Sequence, residues 1–260
     1  MDHATLEAAA QELAKARREH HPLAALAPAC RPQTIDDGYA VQTQFRKLWP
    51  QAVAGWKVGA TALPVQGLFK VTEPFYGPIF APTLHDSPAE PSAARYFHLT
   101  IESEFAFRLG RDMPARAGGY DRSEISAAFD TVLPALEIVG GRFEGLTTAG
   151  TPSIIADCAG NEGLVLGKPT SSWREADLIA QHVRLEVNGR IVGDGSGADV
   201  LGSPLNVLAF LVADMSRRGI SMTVGQVVST GTCTGLVTVA PGERTVADFG
   251  ALGTVEVRFS

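Results

Sequence analysis

From about residue 53 the chain breaks into short apolar runs, each closed by Gly, Pro or another turn former: VAGWKVGAT, FYGPIFAP, IESEFAFRLG, LPALEIVGG, SIIADCAGN and GLVLG. Runs of this length bounded by turn residues read as strands, so residues 53–260 are expected to form a β-rich core. A composition of 45% hydrophobic and 19% charged residues supplies enough apolar surface to bury one.

The first 52 residues read as a helical segment. Leu6, Ala9, Ala10 and Leu13 share one side of a helix over 4–18 that ends near Arg17 and Arg18. Thr34 can cap a second helix, with Asp36 and Asp37 at its positive end and Ile35, Tyr39, Gln42 and Phe45 at helical spacing. Further on, Asn188-Gly189 inside VRLEVNGRIVGDG predicts a two-residue hairpin. The Gly-rich 193–202 reads as a flexible loop after it. Ser203-Pro204 opens a helix with Leu205, Leu208, Leu211, Val212 and Met215 on its apolar side and Gly219 at its end. GTVEVRF alternates as a closing strand. No internal repeat or Gly/Ser/Pro-rich linker divides the chain, so the N-terminal segment and the β-rich part are expected to form one compact unit.

Charge narrows the function. A net charge of −6 without a basic stripe offers no footprint for nucleic acid or an anionic membrane. The longest apolar run, VLAFLVA at 207–213, falls far short of the ~20 residues of a spanning helix, and the N-terminus lacks a secretory pattern, so a cytoplasmic location is expected. Cys30, Cys158 and Cys233 are dispersed, as are the six histidines apart from His20-His21, which argues against a disulfide framework and against zinc.

Five charges stand where strands should bury apolar side chains. Glu102 and Glu104 lie two apart in IESEFAFRLG, on one face, with Cβ atoms roughly 6–7 Å apart. A strand wetted on one face would explain that pair alone. Glu137 is the only charge between Asp130 and Arg142, Lys57 sits between Trp56 and Val58, and Asp157 follows Ile154, Ile155 and Ala156. Burying an unpaired charge costs several kcal/mol, so one pocket where the strands converge is the simplest common account. Three carboxylates without a His or Cys cluster suit a hard, oxygen-preferring cation, Mg²⁺ or Mn²⁺, with coordination positions left for substrate. No Ser lies in G-x-S-x-G, and 193–202 matches neither a P-loop nor G-x-G-x-x-G.

GWKVGAT, the E-x-E of IESEFAFRLGRDMP, LPALEIVGGRF, IADCAGN, VLGSPLNVLAFLVADM and STGTCTG together resemble the 2-keto-4-pentenoate hydratase branch of the fumarylacetoacetate hydrolase superfamily, which also contains 4-oxalocrotonate decarboxylases. The resemblance runs from about residue 35 to the C-terminus. It implies an α+β fold with a mixed, twisted β-roll core and flanking helices, a divalent metal, and a homo-oligomer. By position it makes Glu102, Glu104 and Glu137 the metal carboxylates and Lys57 the active-site lysine. Asp157 is a second catalytic candidate, while Asn161, Leu201 and Thr230-Gly231 are placed near the substrate. Phe75 and Tyr76 are candidates for the distal pocket.

Two departures leave the reaction subtype open. The hydratase turn P-D-F-G is Pro74-Phe75-Tyr76-Gly77 here, and D-N-A-S is Asp157-Cys158-Ala159-Gly160-Asn161. Glu73, His85 and Asp86 are the candidate replacements for the missing acid. The expected activity is hydration of a short 2-hydroxy-2,4-dienoate, a small 2-oxo-acid enol, to a 4-hydroxy-2-oxo acid. Decarboxylation of a 4-oxalocrotonate-like acid is the alternative, followed by hydrolysis of an acylpyruvate. A protein that binds metal or a 2-oxo acid without turnover is the non-enzymatic reading.

Overall fold

A computed structural model describes residues 1–260. Helix α1 (His3–Glu19) is capped by Asp2, which accepts from the Thr5 amide at 2.8 Å, and buries Ala9, Ala10 and Leu13. Helix α2 (Ile35–Leu48) starts in a capping box between Thr34 and Asp37. Its buried Gln42 donates to the carbonyls of Tyr76 and Ile155, tying the helix to the body.

Strand β1 (Val53–Gly59), helix α3 (Leu63–Phe69), strands β2 (Phe75–Phe80), β3 (Leu84–Asp86) and β4 (Thr100–Leu109), helix α4 (Arg122–Ala128) and strand β5 (Phe129–Val139) follow. Next come helix α5 (Thr151–Ala156) and strands β6 (Asn161–Leu166), β7 (His182–Val187) and β8 (Arg190–Ser196). Helix α6 (Pro204–Arg217) and strands β9 (Val227–Thr232), β10 (Val237–Thr238), β11 (Arg244–Asp248) and β12 (Thr254–Arg258) complete the chain.

The main sheet has the mixed order β2-β1-β9-β4-β5-β6-β3, with β10 on β4; the second is β12-β11-β7-β8. The main sheet curls until β2 approaches β6, and β11 and β12 of the second sheet cover β5. Between the sheets lie Phe105, Phe249, Val255 and Val257, all without solvent exposure. On the opposite, inward face a smaller apolar group contains Ile79, Ala106, Leu133, Ala135, Leu164, Leu166 and Val227. The result is the expected α+β roll, buried on both faces of its central strands.

Two expectations need correction. SIIADCAGN is not a strand: Thr151-Pro152 open helix α5, which follows Gly150 at φ 82°, and a turn succeeds it. A short apolar run buried all round has no period that separates helix from strand. Nor is 193–202 a loose loop. Strand β8 continues to Ser196, and a Cβ on Gly195 or Gly197 would fall within 2 Å of the Cys233 or Leu178 carbonyl oxygen, so these glycines permit close packing rather than motion. The Asn188-Gly189 turn has φ 51° and 78°, as a type I′ hairpin requires. Helix α6 buries Val207, Leu208, Leu211, Val212 and Met215 as a core helix.

Candidate metal centre and active cavity

Register assembles the charged groups. Glu102 of β4 stands directly opposite Glu137 of β5, and Glu104 opposite Ala135, so all three glutamates share the inward face. One ligand oxygen from each lies within 4.8 Å of the other two. Glu104 and Glu137 are fully buried, which excludes a strand wetted on one face; Glu102 is partly exposed to a cavity. Lys57 enters from β1, and its Nζ lies 3.4 Å from Glu137 Oε1.

The buried carboxylates are each held by one oxygen and left open at the other. The Ser229 hydroxyl and the Gly231 amide donate to Glu104 Oε2, and Asn161 Nδ2 donates to Glu137 Oε1 at 2.8 Å. Glu104 Oε1 and Glu137 Oε2 are buried with no partner in the protein. Orphaned buried acceptors cost about 1–3 kcal/mol each, more when charged, and three carboxylates face a single ammonium. An all-oxygen donor set with this surplus of negative charge fits a hard divalent cation.

The electrostatics agree. Burial, and then the Glu137 charge, raise Glu102 from 4.5 to about 7 against the pull of Lys57. Burial, followed by Glu137 and Glu102, holds Glu104 well above its ordinary value. Burial alone would lower Lys57, but the three glutamates together keep it raised. With chelator present, Glu102 is neutral in folded and unfolded chains below about pH 4.5, and from there to about pH 7 only the folded chain retains its proton. The chelated protein therefore loses stability as pH rises across that window, and Mn²⁺ reverses the loss; a melting temperature flat in pH would contradict this.

A cavity of about 390 Å³ lies over the cluster. Lys57 and Glu102 are its only charged wall groups, with His98 and Thr100 beside them. Val65, Leu68 and Phe69 of α3, together with Phe75, Leu146, Ile154 and Leu236, make the rest mostly apolar.

Of the other residues singled out in the sequence, Phe75 lines this cavity. Tyr76 does not: side chains alternate along β2, and its ring lies among Tyr39 and Trp56 on the other face. The same alternation separates Gly231, whose amide holds Glu104, from Thr230, whose hydroxyl turns away to the Phe105 carbonyl. Gly231 has φ 93°, and a Cβ there would meet Thr61 Oγ1 at 2.1 Å, so both backbone and space demand glycine. Leu201 is set back from the wall; its amide donates to the Thr61 carbonyl. Asn161 reaches the cluster through Glu137.

Asp157 is not part of the cluster. Its carboxylate pairs with Arg142 at 2.9 Å, and Arg142 also faces Glu162 at 3.6 Å, all three buried. Asp157→Ala, which leaves Arg142 without its nearest anion, is expected to cost about 3–5 kcal/mol in urea unfolding while divalent-cation binding is retained. Glu73, His85 and Asp86 also lie outside the cavity wall. Ser229 and His98 carried no signal as isolated residues; Ser229 emerges from its hydrogen bond to Glu104 and His98 from its place on the cavity wall.

The sequence profile of the fumarylacetoacetate (FAA) hydrolase C-terminal family matches residues 56–260. The chain belongs to the fumarylacetoacetate hydrolase family. Among relatives in this family, the 2-keto-4-pentenoate hydratase of Paraburkholderia xenovorans (strain LB400) is 34% identical over 257 residues, covering 97% of this chain and 94% of the relative. A 4-oxalocrotonate decarboxylase of Pseudomonas putida is 28% identical and covers 97% and 96% respectively. The solved 4-oxalocrotonate decarboxylase from Pseudomonas putida G7, complexed with magnesium and adipate, superposes with a TM-score of 0.91 at 27% identity, over 100% of this chain and 99% of that one.

Proposed function

We propose that the chain is a metal-dependent hydratase that converts a short 2-hydroxy-2,4-dienoate to a 4-hydroxy-2-oxo acid. The observation that carries this reading is the pairing of Lys57 with three convergent glutamates beneath an apolar cavity. Glu102, Glu104 and Glu137 would hold Mg²⁺ or Mn²⁺, and Glu104 and Glu137 each keep a buried carboxylate oxygen without a protein partner for it. When bound, the cation supplies Lewis-acid stabilisation of charge developing on the substrate's C1 carboxylate and C2 oxygen. Ser229, Gly231 and Asn161 fix the carboxylates so that little reorganisation is needed during reaction. Lys57 carries the proton of the enol-to-ketone shift: Nζ gives a proton to C5, and the O2 hydroxyl returns one. The double bond then lies between C3 and C4, where water adds.

The cavity wall contains no arginine, and Lys57 is its only permanent cation, which favours a monoacid with an apolar tail over a dicarboxylate. Phe75 supports the decarboxylase alternative, because it fills a wall position where the hydratase pattern has an acid. Both readings imply a homo-oligomer, to be tested by light scattering. To choose between them, 2-hydroxypenta-2,4-dienoate and 2-oxohex-3-enedioate are followed by ultraviolet absorbance with Mn²⁺ or Mg²⁺, a chelator control and product mass. Chelator-sensitive gain of one water from the dienoate supports hydration; loss of carbon dioxide from the diacid without turnover of the dienoate replaces it with decarboxylation.

A further inference from the structure

We infer that His98 is the general base for water addition, a role that rests on the hydratase reading above. Alternation along β4 puts Glu104, Glu102 and Thr100 on one face, and His98, just before the strand, lines the same cavity as Thr100, Glu102 and Lys57. His98 lies two residues before β4 begins at Thr100, so the imidazole joins the cavity wall from the segment that leads into the strand carrying Glu102.

Tautomer and elimination give the role. His98 Nε2 lies 3.2 Å from the Phe143 carbonyl oxygen, which can only accept, so Nε2 carries the hydrogen and Nδ1 is left as an acceptor. The other polar wall groups are poorly suited. The Lys57 ammonium has no lone pair, Glu102 belongs to the carboxylate cluster, and Thr100, Thr147 and Thr232 offer only hydroxyls, those of Thr100 and Thr232 donating to the Val139 and Gly235 carbonyls. In the step, water oxygen bonds to C4, one water proton passes to His98 Nδ1, and the C3–C4 π pair shifts toward the C2 oxygen. C3 then takes a proton from Lys57, which restores the C2 carbonyl, and the imidazolium returns its proton through solvent to Lys57. The sum is one water added.

The test follows both stages separately in the Mn²⁺-loaded full chain. His98→Gln and His98→Gly are expected to ketonise 2-hydroxypenta-2,4-dienoate at the wild-type rate but to hydrate it about 10²–10⁴-fold more slowly, so that 2-oxopent-3-enoate accumulates. Free imidazole is expected to restore hydration to His98→Gly, which a merely structural histidine would not allow. Mn²⁺ binding confirms that each variant is folded around its site. Equal loss of both stages with Mn²⁺ binding intact, or hydration at the wild-type rate, overturns the assignment. A wild-type protein inert toward the dienoate would instead overturn the hydratase reading itself.

Discussion

Lys57→Met loses about 10²–10⁴-fold in kcat while still binding Mn²⁺, the span that general acid–base catalysis contributes. That corresponds to about 2.7–5.5 kcal/mol of transition-state stabilisation. Methionine fills nearly the same buried space on β1 but cannot carry a proton. Removing the ammonium 3.4 Å from Glu137 also removes the one positive charge that competes with a cation for the cluster, so Mn²⁺ affinity is expected to hold or rise. Calorimetry gives the affinity, and single-turnover absorbance with the dienoate gives the rate. Turnover within tenfold of wild type would remove Lys57 from the chemistry; parallel loss of metal binding would make it structural.

The second large effect is expected from Glu104→Gln, and its sign depends on the metal. The amide oxygen can still accept from Ser229 and Gly231, so the local hydrogen bonds survive while the charge disappears. Metal affinity should fall by more than ~100-fold, since even groups that only orient ligands are worth 10–100-fold. At a free concentration 100 times its dissociation constant, the cation adds about 2.7 kcal/mol to wild-type stability, or roughly 5–10 °C in melting temperature. The variant loses that increment. In chelator the order reverses: one of three mutually repelling acids is gone, and Glu104→Gln melts above wild type. Thermal melts of both proteins, with Mg²⁺ and with chelator, test the crossover, and a variant less stable in both conditions contradicts it.

The sequence made the centre of the site legible and blurred its edges. Glu102, Glu104, Glu137 and Lys57 stand out because each interrupts an apolar run, and burial of a charge demands a reason. Asp157 sends the same signal, yet its reason is Arg142, fifteen residues earlier and brought close by the turn after β5. A misplaced charge thus announces a partner without saying which one. Tyr76 was named as an aromatic beside Phe75 and Thr230 with Gly231 through the family resemblance, but neighbours in a strand face opposite ways. Ser229 was silent because a serine inside a strand is ordinary until the fold of β9 against β4 lets its hydroxyl donate to Glu104. The β-rich core followed from the punctuated runs and its roll form from the family resemblance; helix α5 followed from neither, because its apolar residues are too few and too completely buried to show a period.

The reactive groups and the apolar wall have different mechanical supports. Lys57, Glu102, Glu104 and Glu137 stand on strands β1, β4 and β5 of one sheet, held through β9 by a continuous backbone ladder. Val65, Leu68 and Phe69 come from the short helix α3, and Leu146 from the segment between β5 and α5. Changes in α3 or in that segment can reshape the space offered to a substrate tail without moving the strands. Reaction type and chain-length preference are therefore separable inheritances in this fold: one scaffold can keep its proton chemistry while its menu of substrates drifts.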